Sequence, residues 1–360
     1  MVPSSKNKVS LFLDSGAHSL YVKLGMVKTL SGQKLSLMKG LGSTGKDNYA
    51  YAKTKEFRDY LDAYIKFVHE NKDYLTTYVN LDVIGNADLT WESQKIMESH
   101  GLKPIPVYHF GENFKWLKMY VDKYDYVGIG GLGQGISKND FIGMGDRVFS
   151  FICDTSNNLP RVKVHGFAMT SLDLVLRYPW YSVDSTSWVL TSRFGSVYVP
   201  RFKDGKYVYD KNTWKVSVSN RSPGMKDEGG AHFSTFSPNE QKIIMNYFTL
   251  KGFKVGKSEV QKVDKDYKLK TGERWLGKEE ADSQRGVKGD RSGYVDKGFS
   301  QDLYVERVIE PGLCNDYRLR DQMNVIYFLD LEKSIPPWPW PFRAEGSSMK
   351  GLGLFIWGAF

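Results

Sequence analysis

Two aspartates far apart in the chain each end an apolar run and are followed at once by small hydroxyl or glycine residues. The first lies in Val9-Ser-Leu-Phe-Leu-Asp14-Ser15-Gly16-Ala17-His18, the second in Tyr181-Ser-Val-Asp184-Ser185-Thr186-Ser187. A β-rich run that stops at an acid and turns through Ser and Gly delivers a carboxylate to the C-terminal end of a strand, where α/β barrels keep their active sites. Two such acids suit chemistry at one carbon centre, one as nucleophile and the other as proton carrier. Other strand-like runs end in Asp82, His109 and Gly130-Gly131. Each residue also has a plain reading. Asp14 with Ser15, and Asp82 before Val-Ile-Gly, could simply bond their own backbone in a turn. His109 and His165 could be packed side chains. Asp184 stands out because Ser185, Thr186 and Ser187 offer several donors to a carboxylate.

These residues need a scaffold. Strand-like runs at Val9–Leu13, Thr77–Leu81, Ile105–Tyr108, Tyr126–Ile129, Val162–Val164 and Ser182–Val183 alternate with helical patterns. Phe57, Tyr60, Leu61, Tyr64, Ile65 and Val68 share one helix face. Helices are also expected at Leu89–Ser99 behind an Asp88 cap, at Phe114–Tyr124 and at Asp140–Cys153. Strand alternating with helix predicts parallel βαβ units. Six units before residue 190 favour a (β/α)8 TIM-like barrel over a small open sheet. Lys203-Asp-Gly-Lys206 between Tyr- and Val-rich runs signals a β-hairpin, a helix is expected at Asn239–Lys251, and Val325–Asp330 reads as a strand. The expected division is 1–195, the first part of the barrel; 196–230, the hairpin insertion; 231–335, the barrel's remainder with a charged excursion at 254–298; and 336–360, a Pro- and Trp-rich tail.

The 360 residues suit one large domain with an appendage. Fifty Lys and Arg against 41 Asp and Glu give a net charge of +9, which suits a polyanionic partner without requiring one. Cys153 and Cys314 have no ligand-like spacing, so neither a disulfide framework nor a four-ligand metal site is expected, and a cytoplasmic location fits. The apolar end, Gly351–Phe360, is far shorter than the ~20 residues of a membrane span, so no membrane partner is expected and this tail should pack on the core or on a partner.

The strand-end motifs, taken in order, resemble the tRNA-guanine transglycosylase superfamily. Leu13-Asp14-Ser15-Gly16-Ala17 is similar to that family's Asp-Ser-Gly-Gly-Phe motif. Asn80-Leu81-Asp82 resembles its strand ending in a base-reading Asp. Tyr126-Val-Gly-Ile-Gly-Gly-Leu-Gly-Gln-Gly135 resembles its Gly-Gly-Leu-x-x-Gly motif. His165-Gly166-Phe167 and then Val183-Asp184-Ser185 follow the family order of a glycine-containing strand end and the nucleophilic Asp. Asp184-Ser-Thr-Ser-Trp188 is similar to the shorter phage branch, which puts 7-deazaguanine bases into DNA. The resemblance covers about residues 9–190. It implies Asp184 as nucleophile and Asp14 as general acid/base. It also implies substrate contacts from Ser15, His18, Asp82, His109, Gly130, Gly131, His165 and Ser185. The implied substrates are a guanine flipped out of DNA and a free 7-deazaguanine, in the 7-cyano or the aminomethyl form.

The chain departs from the family in two places. The three-Cys, one-His zinc site of the tRNA enzymes has no counterpart, so no metal and no cofactor is expected. The family's stacking Phe corresponds to His18. Lys39, Lys46, Arg193, Arg201 and the 254–298 stretch are candidates for phosphate contacts. The competing readings are a tRNA-directed enzyme, a carboxylate-pair barrel glycosidase and a non-catalytic DNA-modification accessory. Whether a homodimer or a partner subunit is needed stays open.

Overall fold

A computed structural model describes residues 10–25, 50–130, 138–169, 171–219, 232–264, 266–275 and 303–343. It is mixed α/β, with nine helices among the described residues. The chain divides into two compact units, 1–185 with 337–360, and 186–336.

In the first unit, β1 (Phe12–Leu13) pairs in parallel with β2 (Thr77–Tyr78). β3 (Val107–His109), β4 (Tyr126–Gly130), β5 (Lys163–Gly166) and β6 (Ser182–Val183) form a four-strand parallel sheet in chain order. A parallel bridge between Val79 and Ile105 joins the two groups. Each strand thus neighbours the one before it. A closed eight-strand barrel is not shown among the described residues.

The sheet nevertheless curls. Adjacent strands lie ~4.8 Å apart, so β1 and β5 in a flat sheet would stand about 19 Å from each other. The rings of Phe12 and His165 instead stack with centroids 4.3 Å apart. Strand alternation explains which side chains meet there. Phe12, Val107, Tyr126 and Phe167 pack on the inner face with Val79 and Ile105. Leu13, by contrast, packs outward with α1 (Ala17–Gly25), α2 (Lys55–Asn71) and α3 (Ala87–Ser99). Tyr108, Val127, Ile129 and Val164 pack outward with α4 (Phe114–Lys123) and α5 (Lys138–Ile152).

The helices follow their caps. Thr54 accepts the Phe57 N–H and starts α2, whose buried Phe57, Leu61, Tyr64, Ile65 and Val68 keep helical spacing. α3 is capped by Asn86 and not by Asp88: Asn86 accepts the Leu89 N–H, while Asp88 sits in the first turn, where its charge suits the helix dipole. Phe342 packs among Phe149 and Tyr178, and the Trp338 indole donates to the Pro179 carbonyl at 3.2 Å. The apolar 351–360 end lies outside the described residues.

In the second unit, β7 (Ser196–Val199) pairs antiparallel with β10 (Trp214–Ser217), and between them runs the expected hairpin of β8 (Arg201–Lys203) and β9 (Lys206–Val208). Asp204 and Gly205 take φ of 49° and 77°, the two positive values that a tight twisted hairpin needs. The helix Pro238–Leu250 opens with a Ser237–Glu240 capping box. Val325–Asp330 is not a strand. It lies inside the helix Tyr317–Ser334, whose Asp316 cap accepts the Arg318 N–H and whose buried Arg320, Met323, Asn324, Tyr327 and Leu331 repeat at helical spacing. Its β-branched and aromatic run suggested a strand, but the burial period decided otherwise. From the charged stretch, β11 (Lys257–Val263) and β12 (Glu273–Trp275) flank β13 (Leu303–Glu310), which follows that stretch, in an antiparallel sheet.

Candidate active site

Three carboxylates and two imidazoles gather at the strand ends of the first unit. Asp14 follows β1, where Gly16 turns at φ +71° into α1. A Cβ on Gly16 would stand 2.6 Å from the Tyr60 hydroxyl, which donates to the Ser15 carbonyl at 2.8 Å. The Asp14 carboxyl is open to solvent on one side and crowded by protein on the others. Its pKa is raised by this burial first, then by the charges of Asp82 and of Asp184. The Ser15 and Gly16 amides favour the anion but are outweighed. The turn-capping reading of Ser15 holds as well, since its hydroxyl accepts the Ala17 N–H at 3.3 Å. It also lies 3.5 Å from Asp82 Oδ1.

Asp82 is held from behind. His109 Nε2 is 2.8 Å from Asp82 Oδ2, and His109 Nδ1 is 3.2 Å from Glu112 Oε1. Glu112 also accepts the backbone N–H of His109 at 3.1 Å, so one carboxylate fixes both the ring and its strand end. Burial opposes the imidazolium, but the hydrogen bonds and charges of Asp82 and Glu112 overcome it and push His109 up to about 10. His109 is therefore a buried cation between two anions. Gly130 serves this packing, because a Cβ there would lie 2.7 Å from His109 Cδ2.

Asp184 follows β6 and, like Asp14, is exposed, with 55% of its side chain accessible against 12% for Asp82. Its Oδ1 accepts the Ala168 N–H at 3.0 Å and lies 3.3 Å from His165 Nε2. Ala168 adopts φ 52°, a left-handed conformation costly for a residue with a Cβ. On its other side His165 Nδ1 is 2.6 Å from Ser182 Oγ.

The expected residues fall into distinct places. Asp14, Ser15, Asp82 and Asp184 come together, with His109 and His165 behind two of them. His18 stands exposed on the first turn of α1, and Ser185 follows Asp184 half-buried. Gly131, Lys39 and Lys46 lie outside the described residues. In the second unit Arg201 lies over the Trp214 ring at 4.1 Å, and Arg193 has a buried Nε. Glu112, Ser182, Tyr126 and the inner rings Phe12 and Phe167 escaped sequence reasoning. Among the described residues, no group of three His, Cys, Asp or Glu is arranged to hold a metal, and no helix is long and apolar enough to cross a membrane. Both cysteines are free and buried, and burial pushes Cys153 up to about 12 and Cys314 to about 11, away from thiolate chemistry.

No family model, curated protein or solved structure matches the chain.

Proposed function

We propose that this chain is a base-exchange transglycosylase that replaces guanine in DNA with a 7-deazaguanine, built on a barrel-type scaffold to which β1–β6 contribute. One observation carries the reading: Asp14, Asp82 and Asp184 converge at the strand ends of one unit, where burial first and then the other two charges raise the Asp14 pKa. A carboxyl that holds its proton more readily, together with a second carboxylate, suits double displacement at an anomeric carbon.

In the first half-reaction an Asp184 oxygen forms a bond to the sugar C1′. The C1′–N9 electron pair leaves with guanine, and N9 takes the Asp14 proton. In the second, N9 of the incoming base returns its proton to Asp14 and attacks C1′, and the ester pair goes back to Asp184. Asp82 suits the reading of guanine because a carboxylate hydrogen-bonded to His109 offers acceptors. Guanine N1–H and its 2-amino group are both donors. The net charge of +9 suits a nucleic-acid substrate.

The test is exchange itself. Duplex DNA and a 7-deazaguanine are incubated with the protein, and the digested nucleosides are read by mass spectrometry beside a matched tRNA. A modified deoxynucleoside is expected, reduced at least ~10³-fold in Asp184→Ala. Incorporation into tRNA alone would overturn the DNA assignment, and incorporation into neither would overturn the chemistry.

A further inference from the structure

Beneath Asp184 the inner face of the curled sheet carries a file of polar groups from three adjacent strands. The Tyr126 hydroxyl lies 2.5 Å from Ser182 Oγ, and Ser182 Oγ lies 2.6 Å from His165 Nδ1. His165 Nε2 is buried without an aligned hydrogen-bond partner, 3.3 Å from Asp184 Oδ1. Apolar rings wall the file: Phe12 stacks on His165, and Phe167 meets it edge-on at 4.4 Å. A buried N–H without a partner is costly, and a small turn of the exposed Asp184 carboxylate aligns the pair. Catalytic hydrogen bonds are commonly long before substrate binds.

Donors and acceptors run one way along this file. An aspartate anion only accepts, so the ring nitrogen facing it carries hydrogen. In the Nε2–H tautomer Nδ1 is an acceptor for the Ser182 hydroxyl. Ser182 Oγ in turn accepts from Tyr126, which keeps its hydrogen because burial raises its pKa. Each internal member gives one hydrogen and takes one.

We infer that Tyr126, Ser182 and His165 are positioning residues that hold Asp184 Oδ1 and assign the attack on C1′ to Oδ2. This rests on the transglycosylase reading of Asp184. Oδ1 accepts the Ala168 amide, and a turn of the carboxylate adds His165 Nε2–H, 3.3 Å away, as a second donor. When Oδ2 bonds to C1′ and the C1′–N9 pair departs with guanine, which takes the Asp14 proton, Oδ1 becomes the ester carbonyl and keeps both donors. When the second base attacks C1′, the Oδ2–C1′ pair returns to Asp184. The charge that reappears spreads onto Oδ1, where oriented donors already wait. The sequence gives no sign of this file, since it exists only through the pairing of β4 with β5 and of β5 with β6.

Nitrogen NMR of the full chain labelled in histidine tests the file without any need for activity. The wild type is expected to show His165 as the Nε2–H tautomer, with its signals assigned by their loss in His165→Gln. Ser182→Thr should keep that tautomer, whereas Ser182→Ala and Tyr126→Phe should mix it with the Nδ1–H form. In the exchange assay Ser182→Ala should lose about 10- to 100-fold in kcat with little change in KM for DNA, and Ser182→Thr should recover most of it. An Nδ1–H tautomer in the wild type, or Ser182→Ala exchanging at the wild-type rate, would overturn the positioning role while leaving the transglycosylase reading intact. The expected tautomer in a wild type that exchanges no base would overturn that reading, and the attacking-oxygen assignment with it.

Discussion

The site holds two Asp–His pairs built to the same plan and finished differently. In each, an inward histidine on one strand meets an aspartate at the end of its neighbour: His109 with Asp82, His165 with Asp184. The difference lies on the far nitrogen. His109 meets a second carboxylate, Glu112, and becomes a buried cation, whereas His165 meets the Ser182 hydroxyl. A third group that never touches the aspartate thus distinguishes the two histidines: a second carboxylate behind His109, a hydroxyl behind His165. The charged pair is sealed, as a part that fixes an acceptor should be. The other leaves its aspartate open, as the proposed role of nucleophile requires.

Removing each histidine is the strongest way to break this comparison. His109→Leu would leave Asp82 and Glu112 buried with no cation between them, a defect worth about 3–5 kcal/mol. His165→Leu removes a member of a file and strands one hydroxyl, worth about 1–3 kcal/mol. Urea unfolding of the two variants measures both, and equal losses would show that the far-nitrogen partner does not set the character of the pair.

A subtler test uses pH. His109 is raised from 6.5 to about 10 in the folded chain. Its contribution is complete below pH ~6.5 and disappears as pH rises through about 10. Between those values the unfolded chain has released a proton that the folded chain still holds. Stability should therefore fall by about 1.4 kcal/mol per pH unit from this group alone. Glu112→Gln removes one of the two anions and should flatten the fall between pH 7 and 9. A variant curve parallel to the wild-type curve would remove Glu112 from the account.

What the sequence revealed of this site follows from what a strand pattern encodes. Apolar runs ending in Asp14, Asp82 and Asp184 marked the strand ends, and period-2 alternation turns Asp14 to the side of Phe12 and Asp184 to the side of Ser182; Asp82, three residues beyond the inward Val79, does not follow that alternation. Glu112 was invisible because an acid three residues beyond a strand end looks like any solvated loop residue. Ser182 and Tyr126 were invisible for a different reason: each reads as an ordinary strand residue, and its role depends on the register of the neighbouring strand. The misread Val325–Asp330 run is a third kind of failure. Six residues are too few to separate a strand from a buried helix face, and the Asp316 cap that decides the matter lies nine positions upstream.

The smallest expected effect sharpens the open side of the comparison. Three described residues other than glycine adopt positive φ, and Asn158 and Asp204 are of types that tolerate it. Ala168 is not, yet its amide is the one that holds Asp184 Oδ1. Strain at such a point is retained when the geometry it secures is needed. Ala168→Gly should relieve it, although the greater freedom of glycine in the unfolded chain opposes the gain, so a net stabilisation of at most ~1 kcal/mol is expected. The same freedom loosens the amide that orients the carboxylate. Exchange by Ala168→Gly should therefore fall several-fold even as the melting temperature holds or rises, and that opposition is the signature of strain serving the site. A variant less stable and equally active would show that the conformation at Ala168 belongs to the turn and not to Asp184.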